Sequence, residues 1–171
     1  MKQNTRQQLT LFVNKQDASA IESIREQYNS KQCELIDCHV TLCREDELTD
    51  IDKILDNLQY PQFPAITIQF GPVTRFDNGK GVLIPAAGNN EAFHQLRNSL
   101  LTTAKTTIRH HEPHITLMHP RNSTCTDGIF KVIQSAKLPA YLTFNRISLI
   151  QQIDGGKWEI LKTFPLKPTS L

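Results

Sequence analysis

Apolar residues recur along the chain with two periods, and the changes between them mark out its elements. Alternation at every second residue predicts strands at 8–13, 36–43, 65–70, 81–85, His114–Met118, 141–150 and 157–164. Spacing of three and four predicts helices at 17–28 (Ala18, Ile21, Ile24, Tyr28), from 49 onward (Ile51, Ile54, Leu55, Leu58), at 90–101 (Phe93, Leu96, Leu100) and around 127–136. Thr49-x-x-Asp52 has the form of a capping box, and Pro61 and Pro64 end the helix it would open. Asp154-Gly155-Gly156 predicts a short hairpin turn between the last two strands.

The order of elements repeats. Strand, helix, strand, helix, strand fills roughly 8–70 and again 79–164, with little other identity between the halves. The fold class expected is therefore α+β and bilobal: two pseudo-symmetric lobes, each with a mainly antiparallel sheet and outer helices, and a cleft between them. A chain of 171 residues without a long linker or low-complexity stretch is expected to form one domain, 1–171, and to act as a monomer.

Two tetrapeptides fall at matching points of the repeat, His39-Val40-Thr41-Leu42 and His114-Ile115-Thr116-Leu117. On a strand, side chains two apart share a face, so each copy aims an imidazole and a hydroxyl the same way. One such tetrapeptide is what any amphipathic strand shows; two in register are harder to explain by packing alone. Facing histidines can hold one neutral and one protonated ring near neutrality, the state that in-line phosphodiester cleavage uses. The threonines supply hydroxyl donors to a phosphate oxygen. Residues 1–85 carry 9 Lys/Arg against 12 Asp/Glu and residues 86–171 carry 10 against 5, so the second half is the one suited to an anionic ligand.

The first fourteen residues contain only a five-residue apolar run, too short for a signal peptide or membrane span. Cys33, Cys38, Cys43 and Cys125 form no Cys-x-x-Cys pair, and reduced structural thiols in a cytoplasmic protein are the expectation. Cys43 would extend the His39/Thr41 face if its strand continues that far, as a strand-end residue rather than a nucleophile.

The paired motifs resemble those of the two-histidine (2H) phosphoesterase superfamily, which includes the bacterial RNA 2′,5′-ligase-like proteins and cyclic phosphodiesterases. Pro113 before the second motif, the strand–helix order and the closing stretch Arg146-Ile-Ser-Leu…Gly156-Lys-Trp-Glu-Ile-Leu…Phe164-Pro-Leu extend the likeness over nearly the whole chain. The tail Met118-His119-Pro120-Arg121 is shared by only part of the superfamily. The resemblance implies metal-independent hydrolysis, or reversible transesterification, of 2′,3′-cyclic or 2′,5′-linked ribose phosphates. It makes His39 and His114 the general acid–base pair and Thr41 and Thr116 the phosphate ligands, with no cofactor and no metal. The partner it implies is a nucleotide or RNA end.

Arg44 and Arg121 follow the motifs at the expected cleft rim, where a guanidinium could clasp a phosphate; Phe76 could stack on a base. Trp158 reads as a packing residue and His94 as a surface one. Two other readings compete: a nucleotide- or RNA-binding module without turnover, and a metal-dependent hydrolase built on the His110–His119 cluster. His111-Glu112-Pro113-His114 lacks the helical His-Glu-x-x-His form of a zinc protease.

Overall fold

The strand alternation sets which residues meet. In the computed structural model, which describes residues 1–60, 62–104 and 107–168, the chain runs β1 (Thr5–Phe12), α1 (Lys15–Tyr28), α2 (Ser30–Leu35), β2 (His39–Cys43), a 3-10 turn (Glu45–Glu47), α3 (Ile51–Leu58) and β3 (Ile66–Gln69). It continues through β4 (Thr74–Arg75), β5 (Val82–Pro85), α4 (Glu91–Thr103), β6 (His114–Met118), α5 (Asp127–Gln134), β7 (Tyr141–Phe144), β8 (Arg146–Ile153) and β9 (Glu159–Pro165). A seven-stranded sheet has the order β4-β5-β6-β2-β1-β8-β9, and β3 pairs with β7 in a second sheet. All of these strand pairs are antiparallel, and the fold is α+β.

The two lobes meet at a narrow seam. β2 and β6 share one register pair, Val40↔Ile115, the second residues of the two motifs. The small sheet repeats this symmetry: Thr67 faces Thr143, their hydroxyls 2.8 Å apart. Beneath the seam lies the core, where Leu9, Leu11, Val40 and Leu42 from one lobe and Val82, Ile84, Ile115 and Leu117 from the other are buried. Ile21 and Ile24 of α1, Ile54 and Leu58 of α3, and Phe93, Leu96 and Leu100 of α4 are the buried stripes that the helical spacing predicts. Each such side chain contributes about 1.5–3 kcal/mol by leaving water.

Several elements differ from their sequence reading. The stretch 141–150 is two strands, because the inward phase moves from Leu142 and Phe144 to Ile147 and Leu149 across Asn145; β7 joins β3 while β8 joins β1 and β9. α2 has no buried residue, so its SKQCEL sequence carries no apolar stripe to reveal it. Asp50, not Thr49, occupies the N-cap of α3. Pro61 lies outside the described residues. The hairpin after β8 turns through two left-handed residues, Asp154 (φ 48) and Gly155 (φ 75), and the Asp154 carboxylate accepts the Asn4 N–H at 2.8 Å. No helix among the described residues is long and apolar enough to cross a membrane.

Candidate active site

Both motif strands show the same burial pattern: His and Thr half-buried on one face, Val40/Leu42 or Ile115/Leu117 in the core. Each then breaks alternation at the same place. Register shifts between Leu9 and Thr10 and between Val82 and Leu83 put a bulge just after each threonine, at Leu42/Cys43 and Leu117/Met118. A bulge bends its strand and ends the ladder. Here it turns Cys43 and Met118 into the core and lets the chain leave the sheet at the cleft rim. Cys43 is fully buried, with its thiol pushed up to about 12 chiefly by burial, so it remains a protonated structural thiol.

The two histidines are held alike. His39 Nδ1–H donates to the Asp37 carbonyl at 2.7 Å, and His114 Nδ1–H donates to the Glu112 carbonyl at 3.2 Å, each two residues upstream. That bond fixes the tautomer and leaves Nε2 of each ring with its lone pair. Each ring also has an aromatic edge beside it, Phe12 at 6.0 Å from His39 and Phe76 at 6.1 Å from His114. Continuing the Val40↔Ile115 register by one residue sets His39 opposite Thr116 and Thr41 opposite His114. Burial, with the charges of Arg25 and His114, lowers the His39 pKa to about 4; burial and the Arg44 charge lower that of His114. Both rings are therefore neutral at pH 7 in the free protein, where the sequence reading had one protonated. The difference comes from desolvation, which the sequence does not display.

His39, Thr41, His114, Thr116, Arg44, Phe76 and Arg121, the seven residues singled out from sequence, all line one cleft of about 770 Å³. So do Arg6, Arg25 and Lys31, while no aspartate or glutamate is among the lining residues. Arg25 is committed elsewhere, to Glu22 at 2.8 Å and the Ile36 carbonyl at 2.7 Å. Such a lining attracts an anion and discourages a bare cation.

His111 is one of the lining residues that sequence reasoning did not place in this cleft. Its Nε2–H donates to the Thr41 carbonyl at 3.1 Å, tying the approach to β6 onto the other motif strand, and its ring lies 5.9 Å from that of His114. Burial, then the charge of Arg97, lowers its pKa to about 4. No local motif marks it, because the contact joins segments seventy residues apart. The histidine cluster grouped by sequence is divided by the fold: His111, His114 and His119 line the cleft, and His110 does not. His110 instead meets Glu112 at 2.5 Å and stacks on His94 at 5.1 Å. His94, read as a surface residue, has a buried Nε2 without a hydrogen-bond partner among the described residues, 3.6 Å from the Glu112 carboxylate. The donor atoms of His94, His110 and Glu112 lie within 4.8 Å of one another and could hold a cation, but none of the three lines the cleft.

One wall depends on a glycine. A Cβ on Gly81 would stand 2.6 Å from the Met118 carbonyl and 2.7 Å from both Phe76 and Pro120. Only hydrogen fits there, and the neighbours are the end of β6 and the ring beside His114. Gly81→Ala is expected to cost about 1–3 kcal/mol, as other overpacking does, and to reduce activity by displacing Phe76. Urea melts and steady-state rates on the same preparation check both; an unchanged midpoint would count against this account of the wall.

A model of the 2'-5' RNA ligase superfamily matches residues 13–156. No curated protein matches the chain at a significant level. Among solved structures, apo E. coli LigT superposes with a TM-score of 0.68 at 14% identity, covering 97% of this chain and 99% of that one. E. coli LigT complexed with 3'-AMP gives 0.66 at 18% identity over 95% and 98%. TT0787 of Thermus thermophilus gives 0.57 at 14% identity over 96% and 100%.

Proposed function

The chain belongs to the 2'-5' RNA ligase superfamily, and from that premise we propose that it is a metal-independent phosphodiesterase acting on ribonucleotide or RNA-end phosphodiesters. Its substrates are 2′,3′-cyclic phosphates or 2′,5′ linkages, with ligation as the reverse reaction. The observation that carries this reading is the matched pair of imidazoles, each donating through Nδ1 to a carbonyl and each presenting Nε2 to one acid-free cleft. That E. coli LigT is complexed with phosphate in one structure and with 3'-AMP in another supports the ligand class.

Two neutral rings in the free protein define how the proton enters. A bound phosphodiester brings a negative charge between them and stabilises one imidazolium. His39, the more desolvated ring and the one also repelled by Arg25, stays neutral and serves as general base. It takes a proton from water through Nε2 as the water oxygen bonds to phosphorus. His114 serves as general acid: its Nε2–H protonates the ribose oxygen as the P–O bond breaks, leaving a phosphate monoester. Thr41 and Thr116 donate to the non-bridging oxygens, where charge accumulates in the transition state. A ribose hydroxyl in place of water makes the same steps a transesterification. Arg44 binds the phosphate from the rim, and Phe76 supplies a face for a base.

The test is purified protein assayed with chelator present on 2′,3′-cyclic nucleotides and 2′,5′-linked dinucleotides, with products resolved by phosphate position. Product formation supports the proposal; absence of product from every substrate overturns it. The pH profile tests the pair of imidazoles. The base works above its pKa of about 4, and the acid works only below its own lowered pKa. The kcat/KM profile is therefore expected to be a bell with its maximum on the acid side of about 6.5, the ordinary imidazole value. The kcat profile lies at higher pH, because bound phosphate raises both. A kcat/KM maximum above neutrality would sink the acid–base pair.

A further inference from the structure

Beyond the two motifs the cleft continues along the loop that follows β6, and that loop is rigidly built. The His119 N–H donates to Asn29 Oδ1 at 2.7 Å, and Asn29 is 4% exposed. Asn29 Nδ2 donates to Asn122 Oδ1 at 2.9 Å, and Asn122 Nδ2 donates to Gln32 Oε1 at 2.9 Å. The Asn122 N–H closes the loop on the His119 carbonyl at 3.2 Å, and Ser123 Oγ donates to the Tyr28 carbonyl at 3.1 Å. Together these bonds pin residues 119–123 to the junction of α1 and α2. Preorganisation of this kind lowers the entropic cost of holding a ligand.

His119 carries the opposite tautomer to the motif histidines. Its Nδ1 accepts the Arg121 N–H at 3.1 Å, so in the neutral ring the proton is on Nε2. Burial, then the charges of Arg121 and Arg6, lowers its pKa and favours that neutral form. Where His39 and His114 present a lone pair, His119 presents an N–H donor, in a cleft whose lining also includes Arg121 and Arg6. A donor in that setting recognises an anion rather than accepting a proton. Arg6 is itself positioned: its Nε–H donates to Glu45 at 2.8 Å, its Nη1–H donates to Gln152 at 3.2 Å, and its Cζ lies 5.4 Å from the Trp158 ring centre. Arg121 is exposed and forms no ion pair among the described residues. Trp158 and Lys31 also line the cleft, so the indole read from sequence as a packing residue faces the same space.

We propose that His119, Arg121 and Arg6, with Trp158 beside them, form a second anion subsite for a phosphate one nucleotide away from the one that reacts. This deepens the proposed function and rests on it: the substrate is an oligonucleotide end with at least two phosphate groups, rather than a mononucleotide.

Trp158 is the sole tryptophan, so its fluorescence reports directly on the subsite. The protein is titrated with adenosine 3′-monophosphate and adenosine 3′,5′-bisphosphate, with calorimetry as a second readout. The bisphosphate is expected to bind roughly tenfold tighter, the scale of one charge-assisted hydrogen-bonded contact. Arg121→Gln and His119→Phe should each bring the ratio of the two affinities to within about twofold. Equal affinities in the unaltered protein overturn the subsite whether or not it turns over substrate. In a parallel assay, a dinucleotide ending in a 2′,3′-cyclic phosphate should exceed the cyclic mononucleotide in kcat/KM. Turnover without discrimination removes the subsite and leaves the acid–base reading; discrimination in binding without turnover does the reverse.

Discussion

Replacing His39 or His114 by asparagine is expected to lower kcat on a cyclic phosphate or 2′,5′-linked substrate by ~10²–10⁴, the usual worth of one positioned proton transfer. Asparagine keeps a polar group that can bond the Asp37 or Glu112 carbonyl, so the loss reports chemistry more than collapse. The double variant should lose less than the product of the two single losses, because base and acid act in one step. Fluorescence titration with inorganic phosphate should change far less than the rate. Unaltered turnover in both single variants would end the acid–base proposal. Loss of turnover together with loss of the folded state would instead place these rings in the structural frame.

The largest effect on stability is expected at Arg97. This guanidinium is 1% exposed on α4, and Glu47 from the turn after β2 is 2% exposed. Arg97 Nη2 lies 2.6 Å from Glu47 Oε2 and donates to the Arg109 carbonyl at 3.1 Å, while Nη1 donates to the Leu42 carbonyl at the first bulge. Glu47 Oε1 accepts the Arg44 N–H at 2.9 Å. Burial alone would raise the Glu47 pKa; bonds from Arg97 and Arg44 outweigh it, and the carboxylate stays below its ordinary value. Arg97→Met leaves a buried carboxylate and a buried carbonyl without that donor, at a cost of about 3–5 kcal/mol. For a chain of this length that is a fall in Tm of roughly 6–20 °C. Pairing it with Glu47→Gln should recover part of the loss. Because the same network seats Arg44 and the start of the segment carrying His111 and His114, activity should fall before the melt begins. A melting temperature within about a degree of the parent would refute this role, being well inside the shift that a broken buried pair implies.

What could be read from the chain alone followed from local periodicity. Ile21, Phe93 and Leu100 announce their helices by spacing, and each motif strand announces its face by alternation. The placement of His39, Thr41, His114 and Thr116 in one cleft follows from that, since two strands with corresponding inward residues can pack on one core only with their polar faces on the same side. Non-local relations were out of reach. Whether β2 would pair with β6, and by how many residues, depends on the splay of two sheets and leaves no trace in either tetrapeptide. His111 was grouped with its sequence neighbours because adjacency is what a sequence displays, while its bond to Thr41 is a product of folding. The depressed histidines likewise reflect solvent exclusion, a property of the assembled cleft. Arg97 showed only as a polar position on a helix, and nothing nearby in sequence identifies Glu47 as its counter-ion.

The pairing of Val40 with Ile115, and of Thr67 with Thr143, makes each half of the molecule the other's mirror partner in role. Two like poles could exchange the roles of base and acid, so a substrate bound in either orientation would meet the same groups. The poles differ in the arginine that acts on each, Arg25 on His39 and Arg44 on His114. Under the proposed acid–base reading, that difference in cations, and not the repeated tetrapeptides, is what would let the protein prefer one substrate orientation over the other.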